Sequence, residues 1–291
     1  MSVITDWKAR GSFADAEHGE VFYLEVPAVE DAGLDPILII HGYPSCSYDW
    51  SACLPTLSAR RRVVLMDLPG FGLSAKPDLR YSIRLYADAV EAVVCEAALT
   101  RVALVTHDMG DTVGGELLAR DLEGELSFEV SERVLTNGSI YIDMAQLTGG
   151  QQFLLACEDE LLPAESGGDG SAFRGSLAAI CSPEHQPRDD DLDALWQFMT
   201  YNDGHRLLAR TIRYIEDRRA EEARFTGAIE KHPSPLGIVW GALDPVAVYP
   251  MTAKLLAARE DARRITLEDV GHFPMLEEPQ RTAEAIVALL A

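Results

Sequence analysis

Short, wholly apolar runs alternate with stretches whose apolar residues recur every third or fourth position through the first third of the chain. Pro36 to Ile40 (PILII), Arg62 to Asp67 (RVVLMD) and Val102 to Thr106 (VALVT) have the pattern of strands buried on both faces. Glu20 to Val26 and Arg133 to Thr136 read as further strands. Ile83, Tyr86, Ala87, Val90, Val93, Val94 and Ala97 lie at helical spacing and predict an amphipathic helix over Ser82 to Leu99. A second helix follows Gly110 to about Leu122. Strands separated by helices predict a mostly parallel sheet flanked by helices. From Ile140 to His232 no buried-strand run occurs. That stretch holds a flexible piece, Pro163 to Ser171, an acidic run, Asp189 to Asp191, and helical patterns at Leu192 to Tyr201 and Arg206 to Arg219. The alternation then resumes with strands at Leu236 to Trp240 and Arg264 to Leu267, and helices at Pro250 to Arg259 and Pro279 to Leu290. The expected organisation is one α/β core, residues 1–139 and 233–291, interrupted by a helical cap, residues 140–232.

Composition narrows the function classes. The chain has 291 residues with 25 Lys plus Arg against 47 Asp plus Glu, a net charge of −22. Such acidity argues against nucleic acid as a partner, because phosphate binding needs clustered basic residues. No run approaches the roughly 20 apolar residues of a membrane span. Met1 to Arg10 has no apolar stretch of the kind a signal peptide carries. The five cysteines (46, 53, 95, 157 and 181) are odd in number and scattered, the pattern of reduced thiols in a cytoplasm. No metal-ligand spacing or phosphate-binding glycine loop occurs, so neither metal nor cofactor is expected. A small-molecule substrate remains, with the oligomeric state open.

In a parallel α/β sheet, chemistry gathers at the carboxyl ends of strands. Three such ends carry reactive groups. Thr106-His107-Asp108-Met109-Gly110 passes from strand to helix and has the context of a nucleophile elbow, with Asp108 in the exposed position and Thr106 where that motif has Gly. A carboxylate is ionised at neutral pH and can attack an sp³ carbon without a base; alternatively Asp108 simply caps the helix. His41-Gly42-Tyr43-Pro44 follows PILII, and a glycine there allows close backbone approach. The N–H groups of Tyr43 and Met109 would then converge on one point and stabilise negative charge. Asp244 and His272 each follow a late strand, giving the chain order nucleophile, acid, histidine. Asp143, after the strand RVLT, is the rival acid.

On these residues the chain resembles the Asp-nucleophile branch of the α/β-hydrolase superfamily, which includes haloalkane dehalogenases, epoxide hydrolases and β-lactone decarboxylases. The segments that carry the resemblance are HGYPSCSYDW, MDLPGFGLSAKP, THDMGD, WGALDPV and GHFPMLEEP. Within the branch the chain looks most like the mesoderm-specific transcript group. The resemblance implies an α/β-hydrolase fold with an inserted lid. It implies that Asp108 forms a covalent ester, and that His272, oriented by Asp244, activates the water that hydrolyses it. Dehalogenases of this branch hold the halide with a Trp after the nucleophile and an Asn after His-Gly; here those positions are Met109 and Tyr43, and Met has no N–H donor. Trp50, Trp196 and Trp240 are candidate substitutes. Epoxide hydrolases protonate the departing oxygen with two lid tyrosines. Tyr214 is the candidate for one, and Tyr141 or Tyr201 for the other. The favoured reading is therefore an epoxide-hydrolase-like enzyme on a small apolar substrate, followed by a haloalkane dehalogenase, a β-lactone decarboxylase and a non-catalytic binding protein. Arg213, Arg218 and Arg219 are compatible with a carboxylate-bearing substrate or with a solvated helix face.

Overall fold

A computed structural model describes residues 2–290. Eight strands form one sheet: β1 (Ser12–Ala16), β2 (Gly19–Val26), β3 (Ile37–Ile40), β4 (Val63–Met66), β5 (Arg101–His107), β6 (Glu129–Thr136), β7 (Leu236–Gly241) and β8 (Arg263–Leu267). Their order is β1-β2-β4-β3-β5-β6-β7-β8; β1 and β2 pair antiparallel, and every pair from β4 to β8 is parallel. β3, β4 and β7 are buried along their whole length, as their continuous apolar runs require.

The helices are α1 (Val3–Lys8), α2 (Leu54–Leu57), α3 (Ile83–Glu96), α4 (Met109–Glu123), α5 (Gly149–Ala156), α6 (Ser171–Ala178), α7 (Asp189–Thr200), α8 (Leu208–Thr211), α9 (Tyr214–Lys231), α10 (Pro250–Ala258), α11 (Pro274–Glu277) and α12 (Pro279–Leu289). Local chemistry sets several boundaries. The Ser82 hydroxyl accepts from Leu85 N–H at the start of α3, and Gly124 closes α4 in the left-handed conformation. The two-residue period of the strands splits the core: Leu38, Ile40, Val64 and Met66 pack with α3, α4 and α9, whereas Ile37, Ile39, Val63 and Leu65 pack with α2 and α12.

Between β6 and β7 the described chain is helical. The single helix expected over Arg206 to Arg219 is divided: α8 ends at Thr211, and α9 starts at Tyr214 and runs to Lys231. α9 bends at Glu221 (φ −127°), and beyond the bend Phe225, Ala228 and Ile229 are buried against the sheet layer. There α9 touches α4 closely enough that a Cβ on Gly115 would stand 2.8 Å from the Phe225 carbonyl oxygen. β1 escaped the sequence reading because its alternation is short and half exposed. The first half of β6 escaped because Glu132, which pairs with Arg61 at 2.7 Å, hides a buried strand behind a charge. Among the described residues no helix is long and apolar enough to cross a membrane.

Candidate active site

β5 delivers His107 and then Asp108, whose backbone turns sharply (φ 50°, ψ −112°) before α4 begins at Met109. A non-glycine residue in that region costs of order 1–3 kcal/mol and persists only where its surroundings enforce it. Here they do. A Cβ on Gly42 would lie 2.6 Å from Asp108 Cβ, and one on Gly110 would lie 2.5 Å from the Ile40 carbonyl oxygen. The loop after β3 therefore presses against the turn, and glycine is needed on both sides of the contact.

That approach brings Tyr43 N–H to Asp108 Oδ2 at 2.9 Å. Met109 is the first residue of α4, so its N–H has no acceptor within the helix. Asp108 Oδ1 faces His272 Nε2 at 3.8 Å. His272 Nδ1 stands 2.7 Å from Asp244 Oδ2, which assigns the proton to Nδ1 and leaves Nε2 toward Asp108. Asp108 and His272 are 1% and 2% exposed.

Two residues that sequence reasoning missed hold this arrangement. Asn137, at the carboxyl end of β6 with φ 49°, donates from Nδ2 to Asp244 Oδ2 at 2.7 Å and accepts Gly241 N–H at 3.0 Å. With Val246 and Ala247 N–H on Oδ1, it fixes the Asp244 carboxylate from both sides. Glu277 accepts N–H bonds from Gly271, Ser182 and Phe273 and so frames His272. The Asn-Gly after a strand was the available signal for Asn137; a glutamate at the end of the short helix α11 offers none for Glu277.

Burial alone would lower the His272 titration, but Asp244, then Asp108 and Glu277, raise it to about 9. His107 lies beneath, donating from Nε2 to the His272 carbonyl at 2.9 Å; burial, then the neighbouring His272, lowers it to about 3. His41 donates from Nδ1 to the Gly42 carbonyl and accepts Leu68 N–H, so it also serves the loop as a neutral ring.

Among the tyrosine candidates, Tyr214 is buried with its ring 5.6 Å from that of Tyr43. Burial, then the charge of Asp108, keeps its phenol protonated well above the usual range. The Tyr43 side chain joins it, which the sequence reading did not anticipate, having counted only the backbone N–H. The structure gives the five other candidates different surroundings. Tyr141 gives its hydroxyl to Glu230 at 2.8 Å and has Lys254 over its ring. Tyr201 lies between Lys8 and Lys76, its hydroxyl accepting from Lys8. Trp50 is buried in the apolar cluster on the α2 and α12 side of the sheet. Trp240 commits its N–H to the Ala247 carbonyl, and Trp196 packs on Phe173 and His205. Asp143 is exposed and paired with Lys254, so Asp244 is the acid that reaches His272.

The three arginines of the insertion have three environments. Arg213 is spent on the carbonyls of Ala209, Leu155 and Cys157 and on Glu216. Arg219 is exposed. Arg218 is buried beside Tyr214.

A sequence profile described as the alpha/beta hydrolase family matches residues 37–285. LipZ of Mycobacterium tuberculosis, named as a hydrolase, is 37% identical over 99% of this chain and 98% of its own. The mesoderm-specific transcript homolog protein of Homo sapiens is 28% identical over 98% of this chain and 87% of its own. Among solved structures, Cfl2 from Burkholderia cenocepacia superposes with a TM-score of 0.77 at 21% identity, covering 97% of this chain and 95% of its own, a likeness of fold.

Proposed function

This chain belongs to the alpha/beta hydrolase family, and from that premise we propose that it opens small epoxides through a covalent ester on Asp108. The observation that carries the reading is the Asp108 carboxylate held between Tyr43 N–H on one oxygen and His272 Nε2 opposite the other. Oδ1 attacks the less hindered ring carbon, the carbon–oxygen bond breaks, and the departing oxygen takes the Tyr214 proton. Oδ2, already hydrogen-bonded to Tyr43 N–H, becomes the ester carbonyl oxygen. His272 Nε2 then removes a proton from a water that attacks Asp108 Cγ. The oxyanion that forms at Oδ2 is stabilised by the N–H groups of Tyr43 and Met109. Collapse releases the diol, and the imidazolium returns its proton to the Tyr214 phenolate through solvent.

The epoxide is favoured over a halide because the residue after the nucleophile is Met109, whose side chain has no donor, and because a protonated phenol suits an alkoxide leaving group. The helices between β6 and the bend at Glu221 act as the cap. The chemistry requires water and no cofactor. Intact-mass analysis with styrene oxide tests the scheme. His272→Ala is expected to accumulate protein carrying one substrate mass, and Asp108→Ala none. Full turnover by Asp108→Ala would overturn it. Halide release or carbon dioxide from a β-lactone, in place of diol, would redirect the leaving-group assignment while keeping the ester.

A further inference from the structure

Arg218 is 3% exposed, and its Nε and Nη1 have no hydrogen-bond partner. Among the described residues no carboxylate pairs with it; its guanidinium carbon lies over the Tyr214 ring, 5.3 Å from the centroid. In a chain with 47 acidic residues against 25 basic ones, that isolation is informative. The neighbouring arginines of the insertion are satisfied: Arg210 by Asp78 and Asp159, Arg213 by Glu216, Arg188 by Asp191. A buried guanidinium without a counter-charge is among the more expensive arrangements a fold can carry, because desolvation is not repaid by an anion.

The position says what would repay it. Arg218 lies one helical turn after Tyr214 on the first half of α9, so both side chains leave the same face. Tyr214 in turn packs on Tyr43, the residue whose N–H holds Asp108. The Tyr214 phenol feels both the negative charge of Asp108 and the positive charge of Arg218, so both lie within electrostatic reach of it. We infer that Arg218 is the receptor for a carboxylate carried by the substrate, so that the electrophilic carbon meets Asp108 while the anion meets the guanidinium. A monoanion is favoured over a phosphate because Asp108 already contributes a negative charge to the same space. The inference rests on Asp108 being the nucleophile, and it replaces the apolar substrate expected from sequence by an oxirane carboxylic acid.

Matched probes test it: phenylglycidate, phenylglycidamide and styrene oxide, which share the aryl oxirane and differ in charge. With the wild-type protein, ester formation on Asp108, or turnover, is expected to favour phenylglycidate over the amide by roughly 30- to 4,000-fold, the range for deleting one partner of a buried charge pair. Arg218→Met should bring the ratio to about one by slowing the acid alone, and Arg218→Lys should restore part of the preference, because a point charge replaces a planar donor set. A purely structural Arg218 would instead slow all three probes together. Turnover of styrene oxide and the amide without acid preference would overturn this inference and leave the ester mechanism standing.

A second measurement does not depend on turnover. Phenylacetate should raise the melting temperature of the wild-type protein and leave that of Arg218→Met unchanged. Without ligand, Arg218→Met should melt at or above the wild-type temperature, since an unpaired buried charge has been removed. If no epoxide reacts but phenylacetate stabilises through Arg218, the mechanism fails and the receptor stands. If phenylacetate stabilises both proteins equally, or neither, the receptor fails.

Discussion

Replacing Asp108 by Asn removes one negative charge 3.8 Å from His272 Nε2 and preserves the shape of the side chain. Tyr43 N–H selects the amide oxygen for the Oδ2 position, so the new NH₂ faces the imidazole and favours its neutral form. At this separation and an effective dielectric of about 20, the lost attraction is worth about 4 kcal/mol, or about 3 pH units in the titration of the ring. Because Asp108 is only one of the groups that raise His272 to about 9, a fall of about 2 to 3 pH units is the expected result. The consequence is mechanistic. A titration raised to about 9 puts a second proton on the His272 ring of the free protein at neutral pH, where it cannot act as a base. In the proposed scheme an ester on Asp108 would neutralise the same carboxylate and lower the same titration, so alkylation itself would convert the imidazole into the base that the next step needs. The assay is NMR titration of ring-labelled histidine in the wild type and in Asp108→Asn, with His272→Gln assigning the signal among seven histidines. The pH dependence of ester breakdown, followed by quenched mass analysis, should then have its midpoint well below that of free His272. A His272 midpoint that moves by less than about half a pH unit in Asp108→Asn would refute the coupling, since no geometry with a 3.8 Å contact is consistent with so weak an interaction.

Three further outcomes can be measured. Asp49 is fully buried, and burial, reinforced by Asp67 and opposed by the Ser45 hydrogen bond, raises its carboxyl to about 8. A carboxyl with a folded titration above its unfolded one contributes stability that is complete below about pH 4 and is lost as pH rises to about 8, a loss nearing about 4 kcal/mol at pH 7. Asp49→Asn should therefore show a flatter dependence of the urea midpoint on pH between 5 and 8, and parallel profiles would count against the assignment. Glu116 is buried in α4 and holds Arg224 at 2.6 Å and Arg120 at 3.1 Å; Glu116→Ala should cost about 1.5–3 kcal/mol in urea unfolding, because it removes charge-assisted hydrogen bonds at the α4–α9 contact while Arg120 keeps Asp88 and Glu91 and Arg224 keeps Glu123. Gly42→Ala forces a methyl group within 2.6 Å of Asp108 Cβ, so kcat/KM should fall about 100-fold while far-ultraviolet dichroism is retained; unchanged activity would show that the loop has room to spare.

Much of this protein could be read from short windows of sequence. Continuous apolar runs specify central strands because a strand covered on both faces has no polar side to display, and PILII and RVVLM became β3 and β4 for that reason. The turn at Asp108 and the glycines around it are also local, since backbone geometry and close approach dictate residue type directly. Side chains that act at a distance were a different matter. Asp143 and Asp244 both follow strands, yet only Asp244 meets His272, because β7 and β8 are neighbours in the sheet while Asp143 turns outward to Lys254. Tyr141, Tyr201 and Tyr214 were equivalent as letters, and the packing of α9 over the loop after β3 brought Tyr214 alone to Tyr43. Asn137 and Glu277 acquired their roles only when distant backbone amides were brought to them. Arg218 and Arg219 are adjacent in sequence, but a step of one residue turns about 100° around a helix. One guanidinium is therefore sealed beside Tyr214 and the other faces water, a difference that exists only once α9 has a layer to pack against.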